Sequence, residues 1–162
     1  MNVIIEEFRK EDINSIEYIW NEVIDEGESF FWKEHFSNSK ISEILFNQKA
    51  VYCAKYNGQV IGFYILHDNF PGRGNHIANA LYAIKKGLRR KGIGKIIGEH
   101  SIRTAKECGY KAMQFNSVVS TNIAAVHLWE SLGFNRVGQV DNAFIRNNNE
   151  AVDIYIYFRG FY

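Results

Sequence analysis

Residues 89–95 read Arg89-Arg90-Lys91-Gly92-Ile93-Gly94-Lys95 and lie between a predicted strand, 77–84, and a predicted helix, 93–108. The first backbone N–H groups of a helix have no acceptor within the helix, so they attract an anion. Glycine lets a ligand approach the backbone closely, and flanking basic side chains add positive charge. The segment therefore predicts a binding site for a phosphate or pyrophosphate group.

Two well-known phosphate-binding motifs do not fit this segment. The dinucleotide fingerprint G-x-G-x-x-G needs its third glycine one residue earlier than Gly98, which follows Gly92 and Gly94. A P-loop needs Lys and then Ser or Thr directly after its second glycine, whereas here Ile93 and Gly94 follow. The sequence therefore supports neither a dinucleotide nor a nucleoside triphosphate loop.

Two longer patterns carry a family resemblance. Arg89-x-x-Gly92-x-Gly94 resembles Q/R-x-x-G-x-G/A, the pyrophosphate motif of the acyl-CoA-dependent GNAT acetyltransferases. Asn122-x-x-Ala125-x-x-Leu128-Trp129-Glu130-Ser131-Leu132-Gly133-Phe134 is similar to their second signature, on the helix after the next strand. The letters match over about residues 76–138, and the order of elements matches over nearly the whole chain. The resemblance implies one acetyltransferase domain over residues 1–162, with acetyl-CoA as co-substrate.

The resemblance also implies where acetyl-CoA binds. The backbone of residues 82–84 would hold the pantetheine arm, in a cleft where this strand splays from the strand that ends near Asn116. The N–H groups of residues 90–95 would hold the pyrophosphate. The predicted cofactor-binding residues are Tyr82, Ala83, Ile84, Arg89, Arg90, Lys91, Gly92, Ile93, Gly94, Lys95, Asn122 and Trp129.

The proton-transfer groups are not evident from the sequence. Many GNAT members have Tyr where this chain has Trp129, and that Tyr is taken as the proton donor to the CoA thiolate. The indole N–H is not a usable acid, so water or a hydroxyl such as Tyr82 or Ser120 would replace it. No general base stands out, and the catalytic candidates are Asn79, Asn116 and Tyr82.

Apolar periodicity predicts a mixed α/β order of elements. We expect Asp12 to cap the first helix, and Ile93, Ile96, Ile97 and Ala105 to face inward on the helix after the glycine segment. The resemblance implies the GNAT fold, a mostly antiparallel sheet of about seven strands, splayed in the middle and flanked by about four helices. The predicted strands cover residues 3–8, 51–55, 60–66, 77–84, 110–118, 134–140 and 151–158, and the predicted helices cover 13–27, 41–45, 93–108 and 123–132.

Composition excludes several other classes. A net charge of +1 argues against a protein built to coat nucleic acid, although six basic residues fall within 85–95. The two cysteines have neither metal-ligand nor disulfide spacing, so no metal is expected. No apolar run suits a membrane span or a signal peptide, which predicts a cytoplasmic protein. Exposed edge strands near the C-terminus make a homodimer possible.

A narrower resemblance concerns the acceptor. Short pieces at residues 70–73, 75–80, 115–116 and 121–122 resemble fungal acetyltransferases that act on proline-like imino acids such as azetidine-2-carboxylate. It implies that Asn79 and Asn116 orient the amine and carboxylate of a small substrate, although satisfying strand-edge backbone groups is an equal alternative. Phe30 and Phe31 would form the wall of the acceptor pocket.

Three other functions stay open at this point. The chain could be a non-catalytic acyl-CoA sensor, a protein or peptide N-acetyltransferase, or a nucleic-acid-binding module that uses the basic segment. Glu26 and Glu28 could attract a cationic substrate or simply be solvated.

Overall fold

The computed structural model describes all 162 residues as seven strands, four α-helices and two short 3-10 turns. The strands are β1 (Ile4–Glu7), β2 (Ala50–Tyr56), β3 (Gln59–Asp68), β4 (Ile77–Ile84), β5 (Ala112–Val119), β6 (Asn135–Ile145) and β7 (Ala151–Gly160). The helices are α1 (Ile13–Glu26), α2 (Asn38–Phe46), α3 (Ile93–Glu107) and α4 (Ile123–Ser131).

The strands form one sheet in the order β1-β2-β3-β4-β5-β7-β6. Every neighbouring pair is antiparallel except β4 and β5, which are parallel and pair only at Ile77 with Ala112 and at Ala78 with Met113. After these two rungs the ladder stops, so the sheet is open between the remaining parts of β4 and β5. The predicted splayed, mostly antiparallel seven-stranded sheet with four helices is confirmed.

Local sequence signals account for several element boundaries. The turn between β2 and β3 has positive φ at Asn57 (49°) and Gly58 (76°), as a tight two-residue hairpin requires. Gly27 ends α1 with φ 64° in the left-handed region. Asn122 Oδ1 accepts the Ala125 N–H at 3.3 Å and begins α4, as expected.

Two details of the sequence prediction are wrong. Asp12 belongs to a 3-10 turn ahead of α1, so its carboxylate does not cap that helix. It accepts the Arg9 N–H at 2.8 Å and lies 3.0 Å from Lys55 Nζ. Ile96 is 37% exposed rather than inward, because the buried stripe of α3 follows Ile93 and Ile97 and leaves Ile96 at its edge.

Two hydrophobic cores lie on opposite faces of the sheet. One packs α3 and α4 on the sheet and contains Ile97, Met113 and Trp129. The other packs α1 and α2 and is centred on Trp20. Side chains alternate along β4, so Ala78, Ala80 and Tyr82 face α3, whereas Asn79, Leu81 and Ala83 face α1. The opening beside β4 therefore has different side chains on the two faces of the sheet.

We expect Gly62→Ala to lower the free energy of unfolding by about 2 kcal/mol. A Cβ at position 62 would lie 2.9 Å from the Ala83 carbonyl oxygen and 3.1 Å from Ile97 Cδ1, so β4 would have to shift. Urea denaturation measures the effect. Gln59→Ala, at an exposed position of the same strand, should change stability by less than about 0.5 kcal/mol. Equal stability of the two variants would contradict the close approach of β3 and β4.

Candidate active site

The loop between β4 and α3 carries a continuous row of unpaired backbone N–H groups. None of the N–H groups from Arg89 to Lys95 donates to another atom of the protein. The flanking Leu88 and Ile96 N–H groups donate to the carbonyls of Lys85 and Gly92. The row lies at the positive end of α3, a helix of 15 residues, so it is suited to bind an anion.

The two glycines of the loop serve different purposes. Gly92 has φ 79°, and a Cβ built there would have no atom within 4 Å, so the space beside this residue of the row is open. A Cβ at Gly94 would lie 3.3 Å from Leu128 Cδ2, so glycine there allows α4 to pack closely. With exposed Arg90 and Lys91 beside this space, the residues present fit the diphosphate of CoA.

The Arg89 side chain is bonded to α1 and β4. Its Nη1 and Nη2 donate to the two carboxylate oxygens of Glu26, each at 2.6 Å, and its Nε and Nη2 donate to the Ile84 carbonyl at 3.3 and 3.2 Å. The hydrogen bonds to Glu26 raise the pKa of Arg89. Glu26 is therefore neutralised rather than free to attract a cationic substrate.

The predicted pantetheine-binding residues lie at the open edge of the sheet. Tyr82, Ala83 and Ile84 form the end of β4, beyond its last rung with β5. The Tyr82 hydroxyl is 2.8 Å from Ser101 Oγ on α3, and burial raises its pKa above the ordinary value. The Tyr82 ring packs 4.7 Å from the ring of Trp129.

Trp129 lies in an aromatic cluster beneath the same opening. It is 6% exposed, and its ring centroid lies 4.4 Å from Phe115 and 5.7 Å from Phe134. The structure thus places Trp129 and Tyr82 together next to the middle of α3, at Gly98 and Ser101. Asn122 precedes Trp129 in the chain and caps the N-terminus of α4 with its side chain.

A cluster of four side-chain amides spans the opening between β4 and β5 on the α1 side. Asn79 Nδ2 and Asn116 Nδ2 both donate to Asn69 Oδ1, at 3.1 and 2.8 Å, and Gln114 Nε2 donates to Asn116 Oδ1 at 2.9 Å. Asn116 lies in a β-bulge, because the pairing of β5 with β7 shifts register between Phe115 and Val118. The structure therefore brings the two predicted asparagines together through a third.

Asn69 is a candidate site residue that the sequence analysis missed. The Ala80 N–H donates to Asn79 Oδ1 at 2.7 Å, which directs Asn79 Nδ2 to Asn69 Oδ1. Asn69 Nδ2 is buried and has no partner. An unpaired buried donor costs about 1–3 kcal/mol, which a bound acceptor atom would recover. In the sequence, an Asn before Phe70-Pro71 is typical of a turn, so no local signal distinguished it.

The aromatic loop after α1 lies against the β6–β7 hairpin. Phe30 packs on Trp20, with ring centroids 5.5 Å apart, and belongs to the core on that face. Phe31 is 50% exposed and packs edge-on against Phe144 at 5.0 Å. Phe144, on β6, was not predicted, because it comes from the far end of the chain. Glu28 is paired with Arg146 at 2.8 Å, so this carboxylate is also neutralised.

Outside the cleft, the structure has a polar groove on α1 and no grouping of metal ligands. No group of three or more His, Cys, Asp or Glu residues is placed to hold a metal ion, and no helix has the length and hydropathy to cross a membrane. A groove of about 620 Å³ lies on the outer face of α1, away from the amide cluster. Its lining includes Glu17, Glu22, Asp25, Glu26, His35 and Lys86.

Comparison with known proteins assigns the family. The model of the acetyltransferase (GNAT) family matches residues 5–134. The chain belongs to this family. The superfamily predicted from the two motifs is therefore confirmed.

A fungal relative and two solved structures extend the comparison of this GNAT chain. N-acetyltransferase aca1 of Schizosaccharomyces pombe is 36% identical over 99 residues, which are 60% of this chain and 47% of aca1, so the match covers about half of that relative. A GCN5-related N-acetyltransferase from Kribbella flavida has a TM-score of 0.92 and 27% identity, covering 98% of this chain and 97% of its own. The match to aca1 confirms the predicted similarity to fungal acetyltransferases.

A second solved structure contains the expected co-substrate. A phosphinothricin acetyltransferase from Sinorhizobium meliloti, in complex with acetyl-CoA, has a TM-score of 0.92 and 17% identity, covering 99% of this chain and 89% of its own. The same fold therefore binds acetyl-CoA in that protein. In the present GNAT chain, the individual site residues stay predictions that binding experiments test.

We expect Gly92→Ala to raise the Kd of CoA at least tenfold, measured by titration calorimetry. The new methyl group would occupy the open space beside this residue of the N–H row, and L-residues disfavour φ 79°. Gly87→Ala is the matched control, because Gly87 also has a positive φ (84°) and open space but precedes the row. Equal losses in the two variants would indicate backbone strain alone.

Proposed function

We propose that this GNAT chain is an acetyl-CoA-dependent N-acetyltransferase that acetylates the amine of a small, amino-acid-like molecule. The row of unpaired N–H groups at Arg89–Lys95 is the observation that carries the cofactor half of this proposal. The donor-rich amide cluster across the β4–β5 opening carries the acceptor half. Cytoplasmic location and a homodimer remain predictions from the sequence.

The two substrates would meet at the opening between β4 and β5. Acetyl-CoA supplies a thioester whose carbonyl carbon the neutral amine attacks, so that a C–N bond forms as the C–S bond breaks and CoA leaves. The chain's contribution is to hold the diphosphate at the start of α3 and the amine on the α1 side. Positioning two reactants in this way can supply a large part of an enzyme's rate enhancement.

The amide cluster supports an acceptor that carries a carboxylate. Asn69 Nδ2 and one remaining N–H each of Asn79 and Asn116 are donors without acceptors in the protein. A carboxylate offers several lone pairs to such donors, whereas a polyamine brings only further donors. The exposed ring of Phe31 against Phe144 would close the pocket on that side, which suits a small molecule more than a peptide.

The amine's proton would leave through water. The hydrogen bonds of the cluster join only amides, with no histidine or carboxylate among them. This feature also favours one alternative function, an acyl-CoA sensor without catalysis. Stoichiometric CoA binding without acetylation of any amine would support the sensor, and no CoA binding at all would exclude both functions.

An acceptor panel tests the substrate class. We expect turnover with proline-like imino acids or α-amino acids, and a kcat/KM about 10- to 100-fold lower for the matched carboxamides, because charge-assisted hydrogen bonds to the cluster would be lost. Asn69→Ala should raise KM for the carboxylate and leave the Kd of CoA unchanged. Polyamines, aminoglycosides and peptides complete the panel. Turnover with peptides alone would contradict the proposal.

Tyr82→Phe tests whether Tyr82 donates a proton to the leaving CoA. Because the Tyr82 hydroxyl bonds to Ser101 and burial raises its pKa, we expect kcat to stay within about twofold of the unaltered chain. General acid catalysis contributes roughly a hundredfold or more where it operates. A loss of that size, with CoA affinity retained, would instead assign the acid to Tyr82.

A further inference from the structure

Glu26 and Arg89 join the cofactor loop to the end of α1. Both carboxylate oxygens of Glu26 accept from the Arg89 guanidinium at 2.6 Å, in a two-pronged arrangement that fixes both side chains. The Glu26 side chain is 20% exposed, so the pair is partly shielded from water. A second contact, from the Lys86 N–H to Glu22 Oε2 at 2.8 Å, joins the same loop to α1 one turn earlier.

The residues directly after Glu26 are attached to the β6–β7 hairpin. The Gly27 carbonyl accepts the Asn147 N–H at 3.1 Å, and Glu28 Oε2 accepts from Arg146 Nε at 2.8 Å. The approach is close, because a Cβ on Gly27 would lie 2.8 Å from Asn147 Cβ. Residues 26–31, here named the brace, therefore contact the cofactor loop at one end and the β6–β7 hairpin at the other. Residues 144–150 of that hairpin, against which Phe31 packs, are here named the acceptor wall.

The cofactor loop needs support at this point. Arg90 has φ 62°, a left-handed conformation that costs a non-glycine residue about 1 kcal/mol or more. The neighbouring Arg89 side chain is bonded to both the Ile84 carbonyl and Glu26. These bonds hold the backbone next to Arg90, at the start of the N–H row.

We propose that Glu26 is a positioning residue that couples CoA binding to the order of the acceptor wall. On this proposal Arg89 acts through Glu26 and is not itself a ligand of the diphosphate. The coupling rests on the proposed function, since it requires that CoA binds at the N–H row. Because coupling is reciprocal, CoA tightens the brace and an ordered brace tightens CoA binding.

A double-mutant cycle with CoA as the probe tests the role of Arg89. Titration calorimetry compares the unaltered chain with Glu26→Gln, Arg89→Gln and the double variant. We expect the Kd of CoA to rise about tenfold in Glu26→Gln and by more in Arg89→Gln, which also loses its bonds to the Ile84 carbonyl. The double variant should match Arg89→Gln, because the contact with Glu26 is already broken there. Glu17→Gln is the control, since Glu17 also lies on α1 but its carboxylate accepts a hydrogen bond from Asn38 Nδ2 and not from the cofactor loop. Additive losses in the double variant would show that Arg89 acts independently of Glu26, as a direct ligand of the diphosphate would, and would overturn the proposal.

Hydrogen exchange tests the coupling itself, with and without saturating CoA. In the unaltered chain we expect CoA to slow exchange at residues 90–96 and also at residues 27–31 and 144–150. In Glu26→Gln the protection at 90–96 should remain while the protection of the two distant segments falls several-fold. Thermal unfolding of each variant shows that it is folded before exchange is measured.

The two failures are distinguishable. If CoA protects residues 90–96 but leaves 27–31 and 144–150 unchanged in the unaltered chain, the coupling is refuted and the proposed function stands. If CoA binds nowhere, the proposed function itself fails.

Discussion

The fold depends on the early end of pairing between β4 and β5. Only two rungs join these parallel strands, at Ile77–Ala112 and Ala78–Met113. Every buried strand edge must satisfy its polar groups in some way, so the open edges call for partners from elsewhere. On the α1 side, the side chains of Asn69, Asn79 and Asn116 bridge the gap with hydrogen bonds to one another. The open backbone edge of β4 has the chemistry that the amide-containing pantetheine arm, predicted to bind there, would match. One interrupted ladder thus creates both halves of the candidate site.

The charges around the opening are arranged in pairs that hold segments rather than attract substrate. Arg89 with Glu26 and Arg146 with Glu28 each join parts of the chain that are distant in sequence. What remains unpaired is a row of backbone N–H groups with Arg90 and Lys91 beside it. The net positive field is therefore concentrated where a diphosphate would bind, although the whole chain is nearly neutral.

The features that were predicted correctly are those that depend on residues close together in the sequence. The bounds of β4 at residues 77–84, the start of α3 at Ile93 and the hairpin at Asn57-Gly58 each follow from residues within one element or turn. Asp12 and Ile96 were misplaced because an extra 3-10 turn and the exact packing angle of a helix have no strong local signal. The contacts of Asn69, Phe144 and Arg146 could not be predicted from the sequence. They depend on how far β4 and β5 diverge and on which loops then come into contact.

The attachment of Glu28 to Arg146 has a consequence for how the protein matures. These residues are 118 positions apart, and the α1 end cannot find its partner until the last hairpin of the chain exists. Contacts of such large sequence separation are slow to form. During synthesis on the ribosome, the cofactor loop therefore emerges well before the hairpin that completes the Glu28–Arg146 pair, and the two ends of the brace form at different stages of folding.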